Sequence, residues 1–301
     1  MSSRSQSMSE EPVLGPYLSE LEEHGLTIVP PEVTGVDMAT IDRCVEVLLA
    51  RFTELTGCPI SLEEGPLAEL TWPAGSTIGF ARGREAPDPT QALIQQLLQV
   101  DRCFRDLAVN PVVDQLVDHM IGPIVPGPGH RARRLSSANA FIKWPGDYGY
   151  GPKLGLHCDQ NTNPLPWGST ALTANATWAL TDYSHAGGAL AYVPGSHRLG
   201  HHPEQPQATR DAVAAEAPRG SCIVFHGATW HGAFPKKTPG LRLCAVSYYR
   251  HQSVLPQELM KLTMAEANWA DCDDPEMMRE LIGFDDSFPY FEQNFPLPKR
   301  A

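Results

Sequence analysis

The chain has 301 residues, 42% of them hydrophobic and 19% charged, ordinary proportions for a folded protein long enough to bury a core without disulfide or metal staples. Its formal charge of −12, from 23 basic and 35 acidic residues, argues against a nucleic-acid-binding face and disfavours polyanionic substrates. The seven cysteines are scattered, odd in number and without a Cys-x-x-Cys pair, which points to reduced thiols in a cytoplasm, and no stretch reaches the roughly 18 apolar residues of a membrane span.

Residues 1–12 lack the apolar region of a signal peptide and are expected to be a disordered leader. Gly25–Pro30 predicts a short first strand. Ile41, Val45, Leu48, Phe52 and Leu55 share a helical face over Met38–Thr56, and Leu93, Leu97, Val100 and Phe104 predict a second helix over about Thr90–Leu107. A third helix starts at the Asn110 cap with Pro111 in its first turn and ends at Gly122. The short basic run Arg131–Arg134 is expected at a solvated edge.

From Leu135 the character changes to short strands punctuated by Gly, Pro, Asn and Asp. The predicted strands are Ala138–Trp144, Lys153–Asp159, Ala174–Thr181, Ala189–Val193, Ser221–Phe225 and Arg242–Tyr249. Strands at this spacing predict a sandwich or jelly roll. Helical segments return around Pro256–Asn268 and Pro275–Gly283, followed by an aromatic tail of Phe284, Phe288, Tyr290, Phe291 and Phe295. The expectation is one domain over 13–301: a helical prelude over about 13–134, a β core over about 135–250, and a tail over 251–301.

Within Lys153–Asp159, strand alternation turns His157 and Asp159 to one face and Cys158 to the other. Two histidines and one carboxylate on one face of an octahedral iron leave three positions open, the triad of non-haem iron oxygenases. A His-x-Asp pair alone is a weak signal. The third ligand has two candidates after the strand Ser221–Phe225, His226 and His231. Eleven residues beyond His231 comes Arg242, whose planar fork suits a carboxylate.

Several motifs in order resemble the phytanoyl-CoA dioxygenase family of iron(II)/2-oxoglutarate oxygenases: Lys143-Trp-Pro-Gly146, Leu156-His-Cys-Asp-Gln160, Trp178-Ala-Leu-Thr-Asp182, Gly187-Gly-Ala-Leu-Ala-Tyr-Val-Pro-Gly-Ser-His197, Trp230-His-Gly232 and Arg242. The helical prelude, with Asn110-Pro-Val-Val-Asp-Gln-Leu-Val117, resembles that family too. The resemblance implies a mainly β protein with flanking helices, whose core is a double-stranded β-helix (a cupin-like jelly roll) under an N-terminal helical layer. It makes His157, Asp159 and His231 the catalytic iron ligands, and Arg242, Asn139 and Trp178 contacts of the co-substrate 2-oxoglutarate. It also implies O2 as oxidant, ascorbate as reductant in vitro, and oxidative decarboxylation coupled to hydroxylation.

Some residues qualify this. Family members often carry Ser or Thr two residues after the distal histidine, where this chain has Ala233, so one hydroxyl contact is missing or supplied elsewhere. Related halogenases replace the carboxylate ligand by a small residue, so Asp159 favours hydroxylation. Trp178 has a competing reading as a core residue, and Asn139 as a partner for a buried backbone group. Loops Pro145–Pro152 and Gln160–Thr170 flank the ligand segment, making Tyr148, Tyr150, Asn161 and Trp167 candidates for selectivity. The expected substrate is a small metabolite, with no nucleic-acid or membrane partner. The competing readings are a cupin-type metalloenzyme without 2-oxoglutarate and an inactive ligand-binding family member.

Overall fold

The computed structural model describes residues 14–70, 78–80, 90–122, 131–145, 154–204, 206–264 and 266–286. In chain order the elements are α1 (Gly15–His24), β1 (Leu26–Val29), α2 (Pro31–Thr34), α3 (Met38–Thr56), the short pair β2 (Ile60–Ser61) and β3 (Gly65–Pro66), β4 (Ile78–Phe80), β5 (Gln91–Ile94), α4 (Leu97–Val100), α5 (Arg102–Ala108) and α6 (Pro111–Ile121). The β-rich part follows with β6 (Arg133–Lys143), β7 (Thr173–Ala179), β8 (Leu190–Tyr192), α7 (Gln207–Asp211), β9 (Val213–Ala215), β10 (Cys222–His226), β11 (His231–Ala233) and β12 (Arg242–His251). Helices α8 (Met260–Thr263), α9 (Glu266–Trp269) and α10 (Pro275–Leu281) complete it. The leader, Tyr148, Tyr150 and the tail aromatics from Phe288 onward lie outside the described residues.

Caps fix the long helices. Asp37 accepts from Ala39 N at the start of α3, and Asn110 accepts from Val112 N and Val113 N at the start of α6, each satisfying donors that the first turn leaves open. Gly57, in the left-handed region at φ 69°, closes α3.

Seven strands form one sheet in the order β1-β10-β7-β12-β6-β5-β4, and three form a second in the order β11-β8-β9. All the pairings are antiparallel. This is a jelly-roll sandwich. Strand alternation divides the large sheet. Ala138, Ala140, Ile142, Trp178, Val224, Leu243 and Tyr249 face the helices, packing with Ile41, Leu48 and Phe52 of α3 and Val113, Leu116 and Val117 of α6. Ala179, Ile223, Phe225 and Cys244 face the small sheet and pack with Ala189, Ala215 and Tyr183.

Three expectations need correction. Thr90–Leu107 is not one helix: Gln91–Ile94 pairs with β6, and helix begins at Leu97. The apolar side chains at 92 and 94 are buried in the sheet, so tertiary pairing overrides the local helical period. Of the expected strand Lys153–Asp159, the described residues 154–159 form no regular strand: His157 makes an isolated bridge to His231, and Asp159 opens a 3-10 turn ending at Thr162. The basic run is only partly solvated: Arg131 is exposed, but the two arginines after it are buried. Arg133 is fully buried with its guanidinium on both oxygens of Asp114 and on Glu280, and Arg134 pairs with Asp286. Buried charges are tolerated only when paired in this way.

Candidate metal centre

Two chain segments converge at one mouth of the sandwich. β11 carries His231. The segment before the 3-10 turn runs antiparallel beside it, with His157 N donating to His231 O at 2.9 Å and His231 N to His157 O at 2.8 Å. A mutually bonded antiparallel pair sends both side chains to the same side, and the two rings lie 4.3 Å apart. Cys158 is extended, at φ −131° and ψ 144°, so Asp159 turns back to the face of His157. Cys158 points the other way, into a small core with Trp167, Val193 and Trp230. The alternation expected of a strand thus operates over three residues without a strand.

The ligating atoms of His157, Asp159 and His231 lie within 4.8 Å of one another. Asp159 Oδ1 is 3.4 Å from His157 Nε2, and Asp159 Oδ2 is 3.5 Å from His231 Nε2. Each imidazole donates Nδ1–H to a backbone carbonyl, His157 to Gly155 O and His231 to Thr229 O, both at 2.9 Å. A carbonyl can only accept, so the proton sits on Nδ1 and the Nε2 lone pair is left for a cation. Burial pulls His231 down to about 4, against the charge of Asp159, so it stays neutral at pH 7. Burial disfavours the charge on Asp159 too, but the two histidines and Asn175 outweigh it and hold the carboxyl below its usual range. Burial would lower the pKa of His157, but the hydrogen bond and charge of Asp159 raise it above the ordinary histidine value, so a cation there would displace its proton. Two imidazoles and a carboxylate fit a divalent first-row ion such as iron(II).

His226 is elsewhere. Its Nδ1 accepts from Ala228 N at 3.0 Å and its ring lies 5.4 Å from that of His197, behind the large sheet. Asn161 and Trp167 do not line the cavity beside the triad.

That cavity, about 260 Å³, runs from the triad between the sheets to Arg242. Its floor is the inner face of the large sheet: Arg242, Cys244, Val246 and Tyr248 from β12, Asn139 and Phe141 from β6, Asn175 and Thr177 from β7, and Gln91 and Leu93 from β5. Arg242 is buried, with Nη1 donating to Tyr183 OH at 2.6 Å and its guanidinium 4.9 Å from the Tyr183 ring centre. Lys143, opposite Arg242 in the β6–β12 register, is buried with Nζ on Phe234 O at 2.7 Å. Burial and the charges of Arg242 and Lys236 pull this lysine down to about 7.

Asn139 lines the cavity, with Nδ2 donating to Ser137 Oγ at 2.9 Å. Trp178 does not: it is fully buried in the helix-side core, on the opposite face of β7 from Asn175 and Thr177. The expectation that Trp178 touches the co-substrate is corrected on that ground. The residues that sequence reasoning passed over are Asn175 and Thr177. The alternation in Thr173-Ala-Asn-Ala-Thr-Trp-Ala179 carried the signal, since its polar positions all fall on one face. Ala233 lies in the cavity wall, and the hydroxyl-bearing residues of the lining are Thr177, Tyr183 and Tyr248.

The same sandwich occurs in solved structures. The non-heme alpha ketoglutarate dependent epimerase SnoN from nogalamycin biosynthesis superposes with a TM-score of 0.54 at 17% identity, covering 79% of this chain and 83% of that one. A second SnoN structure holds Fe3+, alpha ketoglutarate and nogalamycin RO. EctD from S. alaskensis, in its apoform, gives 0.55 at 17% identity over 83% of this chain and 81% of its own. The fold is therefore the jelly roll of the non-haem iron, 2-oxoglutarate-dependent enzymes. The profile of the phytanoyl-CoA dioxygenase (PhyH) family matches residues 67–244, more than half of the sequence, and the chain belongs to that family. A dioxygenase (af480) of Aspergillus fumigatus is 29% identical over 147 residues, 48% of this chain and 43% of that protein. The chain thus spans less than half the length of that curated relative. No described helix is long and apolar enough to cross a membrane.

Proposed function

We propose that this protein is an iron(II)- and 2-oxoglutarate-dependent dioxygenase that couples decarboxylation of 2-oxoglutarate to hydroxylation of a small metabolite. One observation carries the reading: the converging His157, Asp159 and His231 share a cavity with the buried Arg242. Iron bound by the triad would supply the oxygen-activating redox chemistry. The chain supplies the rest. The Nδ1 hydrogen bonds fix both imidazole orientations, and Asp159 neutralises part of the cation's charge. Arg242, steadied by Tyr183 OH, would take the distal carboxylate of 2-oxoglutarate through its guanidinium fork. Thr177 and Asn139 stand along the cavity between those ends. Leu93, Phe141, Phe225 and Val246 make its walls apolar enough to limit water around the reacting groups.

The test is succinate formation from 2-oxoglutarate with iron(II) and ascorbate, with Asp159→Ala and Arg242→Ala beside the wild type. Asp159→Ala should abolish turnover. Arg242→Ala should keep the metal and raise the co-substrate KM about 10- to 100-fold, as expected for losing a charge-assisted pair. Metal binding without any affinity for 2-oxoglutarate would favour a cupin-type metalloenzyme instead. Binding of neither would favour an inactive family member.

A further inference from the structure

Asp159 is gripped on three sides. Its N–H donates to Gly227 O at 2.8 Å, its carbonyl accepts from Tyr248 OH at 3.1 Å, and its Oδ2 accepts a short hydrogen bond from Asn175 Nδ2. Asn175 and Tyr248 face each other in the β7–β12 register, so one row of the large sheet supplies both side-chain grips. Asn175 is buried at 4% exposure, which holds its amide in place. The two carboxylate oxygens are otherwise nearly equivalent, one 3.4 Å from His157 Nε2 and the other 3.5 Å from His231 Nε2. Asn175 breaks that equivalence. An amide N–H can donate but cannot bind a cation, so it occupies Oδ2 and leaves Oδ1.

We propose that Asn175 is a positioning residue that makes Asp159 a one-oxygen ligand, presenting Oδ1 and withholding Oδ2. This rests on the iron-site reading above. A carboxylate that swung round to use both oxygens would take a second position on the metal. Two histidines and a one-oxygen carboxylate leave three positions open, enough for a two-point chelator and one further small ligand. The role falls to this asparagine because β7 places it, and not Trp178, on the cavity face.

Cobalt(II) titration of the metal-free protein tests this without turnover. Wild type, Asn175→Leu and Asp159→Ala are compared by affinity and by the visible ligand-field spectrum at saturating cobalt. Asn175→Leu should bind cobalt about 10- to 100-fold more weakly, the usual cost of losing a partner that orients a ligand. Its saturated spectrum should also shift, because the carboxylate is free to use both oxygens. A purely structural role would lower the melting temperature and leave the saturated spectrum unchanged. Wild-type affinity and spectrum in a folded Asn175→Leu protein would overturn the proposal. If the leucine variant does not fold, Asn175→Ala is read in the same way. Should wild type itself bind no cobalt, the iron-site reading fails first; if only Asp159→Ala loses the metal, that reading stands and the role of Asn175 is refuted.

Discussion

His157 and His231 exchange both of their backbone hydrogen bonds, at 2.9 and 2.8 Å, although they are 74 positions apart and belong to no common strand ladder. The metal centre therefore depends on a close approach of two backbones. Beside that bridge, Gly232 leaves no room for a side chain: a Cβ there would sit 2.1 Å from Leu154 O and 3.1 Å from the Gly155 carbonyl carbon.

Gly232→Ala should push the 154–157 segment away from β11 and separate the histidines. The expected result is at least a tenfold loss of cobalt or iron affinity, with a stability cost of about 1–3 kcal/mol for the overpacking. Metal titration and thermal melting of the same preparation check both parts. Full metal affinity in the alanine variant would show that the segment can move without disturbing the ligands.

Tyr183 gives Arg242 its orientation, since its hydroxyl accepts from Nη1 at 2.6 Å. Tyr183→Phe keeps the ring beneath the guanidinium but removes that acceptor. The co-substrate KM should rise about 3- to 10-fold, the equivalent of one hydrogen bond of about 1 kcal/mol, while metal affinity stays unchanged. An equal loss of metal affinity would mean that Tyr183 supports the whole site.

Trp178 separates a core role from a co-substrate role. Because it is fully buried among the helix-facing residues, Trp178→Ala should cost about 3–5 kcal/mol of stability. Trp178→Phe should fold, melt several degrees lower and bind 2-oxoglutarate as wild type does. Equilibrium unfolding and co-substrate titration distinguish these. A large loss of 2-oxoglutarate affinity in a stable Trp178→Phe protein would restore the contact that the family resemblance implied.

The same residues show what was legible in the sequence. Capped helices were, because Asn110, Pro111 and Gly122 act within a few residues of themselves. The convergence of His157, Asp159 and His231 was, because alternation around Cys158 is local and the Trp230-His-Gly context pointed to His231 rather than His226. Trp178 was misplaced although the polar positions 173, 175 and 177 already marked the cavity face of that strand. The Arg133–Asp114–Glu280 cluster was not legible, because its partners lie 19 and 147 positions away and only the fold brings them together. The β5 segment failed for a related reason. Its helical period is genuine, but its pairing with β6 is a tertiary fact.

Lys143 gives the site a pH signature. It is 1% exposed, next to Arg242 across the strand pair, and its folded pKa of about 7 lies below the ordinary lysine value of 10.5. Between those two values the unfolded chain holds the proton and the folded chain does not, so stability rises with pH across that window. Below about 7 both states are protonated and the full cost of burying the charge is present; above about 10.5 neither is, and the rise ends. Unfolding free energy should therefore climb by a few kcal/mol from pH 7 to pH 10, and Lys143→Met should remove this part of the slope. Binding of 2-oxoglutarate should work in the opposite sense. Its distal carboxylate on Arg242 would favour the charged lysine, so binding near pH 8 should take up a proton. Calorimetric titration in two buffers of different ionisation enthalpy measures that uptake directly. A binding enthalpy that does not depend on the buffer, or a Lys143→Met protein with the wild-type pH slope, would remove Lys143 from both roles.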